Sequence, residues 1–321
     1  MRLVVTGAAG FIGSHLSEAL LAAGHDVVGV DAFIDYYPRT VKEANLGAAR
    51  ADRRFAFHEL DLRTADLESL VDGADAVIHL AAMPGLVRSW TDVELYTTCN
   101  LLATHRLIEA VLGRGVPRLL HASTSSIYGR DAVGDETTPA RPISPYGVTK
   151  LAAEHLVLAN VATRGLDASI VRFFSIFGPR QRPDMAYHLF AEALLDGRAI
   201  KVFGDGEQSR SNTFIDDCVA GTIAAIGGAA TGEVYNIAGG EEITLNEAIA
   251  TIADLLGVAP RIEHGPARDG DQRRTAADTS KAQRGFGYRA TTGARAGLAA
   301  QVGWHVARRR AASADGSRPG S

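Results

Sequence analysis

The octapeptide TGAAGFIG, Thr6–Gly13, restricts this chain more than any other stretch, because it follows the apolar run Leu3–Thr6 and opens an amphipathic segment. A strand that turns through glycine into a helix is the start of a βα unit. Gly7 would make the tight turn, Gly10 would let backbone approach a phosphate, and Gly13 would let the helix lie close against the sheet. The first helical residues, Phe11 and Ile12, would then present unpaired amide donors and the positive end of the helix dipole to a pyrophosphate. Asp31 ends the next apolar run, 18 residues beyond Gly13. A carboxylate there accepts hydrogen bonds from the adenosine ribose hydroxyls and repels a 2′-phosphate, which favours NAD over NADP.

Further apolar runs at Val27–Asp31, Phe55–Leu60, Ala76–Leu80, Arg118–Ala122 and Ser169–Phe173 alternate with amphipathic stretches. This rhythm predicts an α/β chain: a Rossmann-type doubly wound parallel sheet over residues 1–174, covered by helices on both faces. Cofactors cross such a sheet at the carboxyl ends of its strands. Asp61 and Leu62 would therefore meet the adenine, and Leu80, Ala81 and Ala82 would line the trough. Arg39 and Lys42 read as solvated charges. Beyond Phe174 the rhythm loosens, with helices expected near Met185–Leu195, Asp217–Ala225 and Thr244–Leu255, the last opened by a capping box from Thr244 to Glu247. Residues 175–304 would thus form a smaller C-terminal α/β substrate-binding lobe. From about His305 the chain turns polar and arginine-rich, which predicts a disordered tail over 305–321.

Composition narrows the partners. The 321 residues are 46% hydrophobic and carry a net charge of −4. That balance gives no global attraction to nucleic acid or to an anionic membrane, so a small-molecule partner is expected. The two cysteines, Cys99 and Cys218, lack metal-ligand spacing, which argues against a disulfide scaffold and against a zinc site. They read as core residues of a chain kept in a reducing cytoplasm. The apolar start is too short for a signal peptide, and no run approaches the ~20 apolar residues of a membrane span.

Tyr146 and Lys150 lie four apart in SPYGVTK, Ser144–Lys150. On a helix they share one face, so the ammonium can lie beside the phenol and favour its ionised form, a base for a hydroxyl proton.

As a set these residues resemble the extended short-chain dehydrogenase/reductase family, specifically its nucleotide-sugar epimerases and dehydratases. The resemblance runs through TGAAGFIG, HLAA (79–82), STSSIYG (123–129), YGVTK (146–150), RFFSIFGPRQRP (172–183), GDGEQSR (204–210) and RDGDQRRTAAD (268–278). It implies a catalytic trio of Thr124, Tyr146 and Lys150. Thr124 would share the hydrogen bond of the substrate hydroxyl, and Lys150 would bind the nicotinamide ribose and lower the Tyr146 pKa, aided by the charge of NAD+. It also makes the helices near Asp92–Leu112 and Pro145–Arg164 similar to those of a family homodimer interface.

Within the family, dehydratases typically place an Asp-Glu pair after the Thr, and UDP-glucuronate decarboxylases usually show a Glu at the second place. Here Ser125 and Ser126 stand there, which favours C4 epimerisation through a 4-keto sugar, with NAD regenerated in place. The stretches GPRQRPDMAYH and DAFIDYYPRTVKEANL resemble those of UDP-glucuronate 4-epimerases more than those of neutral-sugar epimerases. UDP-glucuronate is therefore the expected substrate, with UDP-glucose or UDP-GlcNAc epimerisation and a dehydratase or decarboxylase as alternatives. Arg182 is a fork suited to a C6 carboxylate, with Ser125 and Ser175 adding neutral donors. Arg210 and Arg268 resemble the arginines that clamp a sugar-nucleotide diphosphate, and Arg88 is a further candidate near the phosphates. Val202 and Phe203 would pack on uracil. Ser211 and Asn212 depart from the Asp-Phe that usually follows the family's arginine at the position of Arg210.

Overall fold

The computed structural model describes residues 1–267 and 271–314. Its central sheet has seven parallel strands: β1 (Arg2–Thr6), β2 (Asp26–Asp31), β3 (Phe55–Glu59), β4 (Ala76–His79), β5 (Leu119–Thr124), β6 (Ala168–Phe173) and β7 (Val234–Ile237). Their spatial order is 7-6-5-4-1-2-3. Val5 pairs with Gly29 of β2 on one side and with Ile78 of β4 on the other. The winding therefore reverses at β1, and the crevice above β1 and β4 is where such a sheet receives a ligand.

Every residue of β5 and β6 is buried, as strands covered on both faces must be. Adjacent residues serve opposite layers. Val5 and Ile78 join the core that contains Leu16 and Leu20, while Val4 and Val77 join the core of Leu107, Ile108 and Val157. Period-two alternation of strand side chains is the cause.

Two local signals set the parts that matter for the site. Helix α1 (Phe11–Ala22) starts against the sheet because Gly7 takes a positive φ of 73° and Gly13 has no side chain. A Cβ on Gly13 would fall 2.1 Å from the Gly7 carbonyl oxygen. Helix α2 (Pro145–Arg164) begins where Ser144 accepts from the Gly147 amide, carries Pro145 in its first turn and stops at Gly165 in the left-handed conformation. These caps fix the helical phase of Tyr146 and Lys150.

Three expectations are corrected. The sheet takes a seventh strand, β7, from beyond residue 174, paired in parallel with β6 through Tyr235 and Val171. The stretch expected as one helix over Asp92–Leu112 is divided into Val93–Thr97, a π-helical turn Thr98–Leu102 and Ala103–Gly113. Finally, residues 305–314 are helical rather than a loose tail.

That last segment belongs to a helix spanning Ala294–Ala314, which packs on α3 (Ala186–Leu195). His305 is fully buried, with Nδ1 2.5 Å from Glu192 Oε1. Arg308 and Arg309 reach the two oxygens of the same carboxylate at 2.7 and 2.5 Å. The arginine run that resembles a solvated tail is thus what staples the helix. Burial alone would raise the Glu192 carboxyl, but hydrogen bonds from His305 and Arg309 and the charge of Arg308 hold it well below the usual range. Glu192→Gln is expected to cost about 2 kcal/mol in urea unfolding at neutral pH. Because the folded-state pKa is depressed, the ionic contribution is full above the unfolded carboxylate range and fades as pH falls through the folded value. The gap between wild type and variant should therefore narrow below about pH 4.

Candidate active site

The carboxyl ends of β1, β2 and β4, the start of α1 and the start of α2 enclose one cavity. All thirteen residues expected to meet a dinucleotide line it: Gly7, Gly10, Phe11, Ile12, Gly13, Asp31, Asp61, Leu62, Leu80, Ala81, Ala82, Tyr146 and Lys150. The Gly10 N-cap has no side-chain cap, so the first amides of α1 keep their donors for a ligand. The close approach of Gly13 to Gly7 forms the cradle that a pyrophosphate requires. The residues present therefore fit NAD.

Lys42 departs from its expected place in solvent. Its Nζ lies 3.3 Å from Asp31 Oδ1, with both side chains largely buried, and its charge stands over the Tyr37 ring. The Phe33 amide donates to the same Asp31 oxygen at 2.8 Å. Arg39, by contrast, sits at the surface, paired with Glu43 and Glu59. Cys99, expected as plain core, is buried but forms part of the cavity wall, while Cys218 is core.

Of the trio, Tyr146 and Lys150 line the cavity and Thr124 does not. Thr124 closes β5, and its side chain favours the Tyr146 phenolate. Ser126 stands with its Oγ 3.2 Å from Thr124 Oγ1. Lys150 Nζ donates to the Ala122 carbonyl at 2.7 Å and lies 3.5 Å from His121 Nε2. Burial lowers the Lys150 pKa to about 8, partly opposed by the Glu154 carboxylate. For Tyr146, burial pushes the phenol above its ordinary value, and Thr124 and the charge of Arg182 only partly oppose this. The expected lowering of the Tyr146 pKa is thus not in place in the chain alone, because taking a phenolate out of water outweighs the groups around it.

Behind the trio, Ser123 donates to Glu154, and Glu154 pairs with Arg172 at 2.7 Å. Asn100, in the π-helical turn, ties Met83 and Thr149 together and so joins the loop after β4 to α2. Sequence reasoning passed over Asn100, because only the fold brings these segments together.

A second cavity adjoins the first and is lined by Ser175, Phe203 and Arg210, with Asp184, Tyr187 and Lys201 among their neighbours. Val202 does not belong to it. In the strand Ile200–Phe203, alternation puts Lys201 and Phe203 on the cavity and Ile200 and Val202 in the core. Arg210 points its guanidinium at the carbonyls of Ser209, Gln272 and Arg273. Arg88 lines neither cavity; it holds the Asp35 carbonyl at 2.6 Å and Asp92 at 3.1 Å. Ser125 is buried with its hydroxyl on Gln272, 3.2 Å away, and neither it nor Ser126 lines either of these two cavities. Arg268 lies outside the described residues.

Arg182 shares the first cavity with Tyr146 and Lys150, but its Nε and Nη2 are engaged by Asp184, each at 2.9 Å. A guanidinium has five N–H donors, so three remain for a ligand.

The profile of the NAD dependent epimerase/dehydratase family matches residues 3–238. An uncharacterized UDP-glucose epimerase, YtcB of Bacillus subtilis, is 40% identical over 308 residues, covering 95% of this chain and 98% of that one. A UDP-glucuronate 4-epimerase of Thermodesulfobacterium geofontis is 36% identical over 307 residues, covering 94% and 95%. The solved structure of UDP-glucuronic acid 4-epimerase from Bacillus cereus, in complex with UDP-glucuronic acid and NAD, is similar with a TM-score of 0.94 at 39% identity. It covers 96% of this chain and 100% of that one.

Proposed function

The chain belongs to the NAD dependent epimerase/dehydratase family, and from that membership we propose that it inverts C4 of a UDP-sugar, with UDP-glucuronate as substrate and UDP-galacturonate as product. One observation carries the choice of sugar: a guanidinium, Arg182, lines the same cavity as Tyr146 and Lys150 and acts electrostatically on the Tyr146 phenol. A C6 carboxylate is two bonds from C4 along the ring carbons, so a cation beside the base suits a uronate. The hydroxyls of Ser125 and Ser126 supply no carboxyl group for eliminating water.

NAD, when bound, supplies the acceptor for the C4 hydride and returns it to the opposite face. The chain's own residues do the rest. Tyr146 removes the proton of the C4 hydroxyl and later gives it back, and Thr124 shares that hydrogen bond. Lys150, oriented by the Ala122 carbonyl, presents its ammonium to the same cavity for the nicotinamide ribose. Phe203 and Arg210 line the space for the nucleotide, and Ser175, expected beside Arg182 at the C6 carboxylate, lines that second cavity instead.

A homodimer is part of the same reading. Val87, Trp90, Leu102 and Val148 are exposed at 60, 55, 45 and 52%, and the segments that carry them pack beside one another. No described helix is long and apolar enough to cross a membrane. The two buried free thiols agree with a reducing cytoplasm.

The direct test is incubation with UDP-glucuronate and no added cofactor, followed by separation of the sugar nucleotides. UDP-galacturonate is the expected product. No conversion by NAD-loaded protein, or a deoxy-keto sugar seen by NMR, refutes the proposal.

A further inference from the structure

Asp184 has no part in the chemistry above, yet it frames the guanidinium on which the choice of sugar depends. Its two oxygens accept from Arg182 Nε and Nη2 in a bidentate pair, and Oδ2 also accepts from the Tyr36 hydroxyl at 3.2 Å. The Tyr36 ring lies 5.7 Å from the same guanidinium. Arg182 faces the cavity of Tyr146, whereas Asp184 faces the nucleotide cavity. The ion pair therefore stands in the wall between the two, with side chains 21 and 35% exposed.

The charge balance in that wall decides which sugars are tolerated. An uncompensated guanidinium gains from meeting a carboxylate and loses when a neutral hydroxymethyl group strips its water. A built-in carboxylate weakens both effects, since it already satisfies the cation and repels a second anion. The three remaining N–H donors still allow a uronate to bind without breaking the pair.

We propose that Asp184 is a specificity-determining residue: as the internal counter-charge of Arg182, it admits a neutral UDP-hexose to the site and restrains the preference for a uronate. This rests on the reading that Arg182 meets the C6 carboxylate.

The test compares kcat/KM for UDP-glucuronate and UDP-glucose in NAD-loaded wild type, Asp184→Asn, Asp184→Ser and Arg182→Leu. Both Asp184 variants should raise the uronate-to-hexose ratio at least about fivefold, chiefly through a lower KM for the uronate. The rise should vanish when Asp184→Asn is combined with Arg182→Leu. An unchanged or smaller ratio in either variant, with wild-type circular dichroism and NAD content, overturns the proposal. If Arg182→Leu impairs the uronate selectively while the Asp184 variants keep the wild-type ratio, the proposal fails alone. If Arg182→Leu impairs both sugars equally, the carboxylate reading fails and takes the proposal with it.

Discussion

Tyr146→Phe is expected to reduce kcat for C4 epimerisation by about 10³-fold, within the range for removing a positioned general base. The substitution deletes only the phenolic oxygen. The ring keeps its edge contact with Tyr96, 6.2 Å between centroids, and its packing beside Met83 and Cys99. The variant should therefore fold, retain NAD and bind the UDP-sugar with little change in Kd, so the loss falls on kcat. The structure also says what the phenol needs. Burial raises its pKa, and Thr124 and Arg182 only partly offset this. The positive charge of the oxidised cofactor is the remaining group able to favour the phenolate. Retention of more than a tenth of wild-type kcat by Tyr146→Phe would remove this residue from the chemistry.

Arg182→Leu is expected to lower kcat/KM for UDP-glucuronate by about 100-fold, equivalent to about 2.7 kcal/mol of lost charge-assisted hydrogen bonding. Turnover of UDP-glucose should fall far less, because its C6 carries no charge. A second consequence follows from the chemistry of the 4-keto uronate, which is a β-keto acid. It loses carbon dioxide when its C5–C6 bond aligns with the carbonyl π system, and a carboxylate held by a guanidinium can be kept out of that alignment. Residual turnover by the variant should therefore release a decarboxylated 4-keto pentose, detectable by NMR. The variant also strips Asp184 of its cation partner. Circular dichroism and NAD content are the controls that separate a lost grip from a disturbed wall. Equal losses with both sugars would rule out the carboxylate role.

The glycine turn, Asp31 and the Tyr146 and Lys150 pair of the cofactor crevice were legible in the chain because their signals are local, whereas Lys42 and Cys99, which also line it, were not. Glycines three apart, the Ser-Pro helix start before Tyr146 and the four-residue step to Lys150 each depend on neighbours within one or two helical turns. The second cavity was legible in part. Phe203 and Arg210 line the second cavity, but Val202 turns into the core, since a strand's phase is set by what packs on it rather than by its apolar residues.

The amino-acid order by itself determined the βα rhythm, the glycine turn and the face shared by Tyr146 and Lys150, for all of these follow from steric and hydrogen-bonding preferences of short segments. Tertiary structure alone decided which charges meet. Lys42 lies against Asp31 and Asp184 against Arg182; Glu192 gathers His305, Arg308 and Arg309; Tyr36 reaches Asp184 across 148 residues; and β7 completes the sheet from the second half of the chain. An isolated charge in a sequence looks solvated, because water is its default partner. Only a fold that removes the water and supplies an opposite charge at fixed distance makes it part of a site.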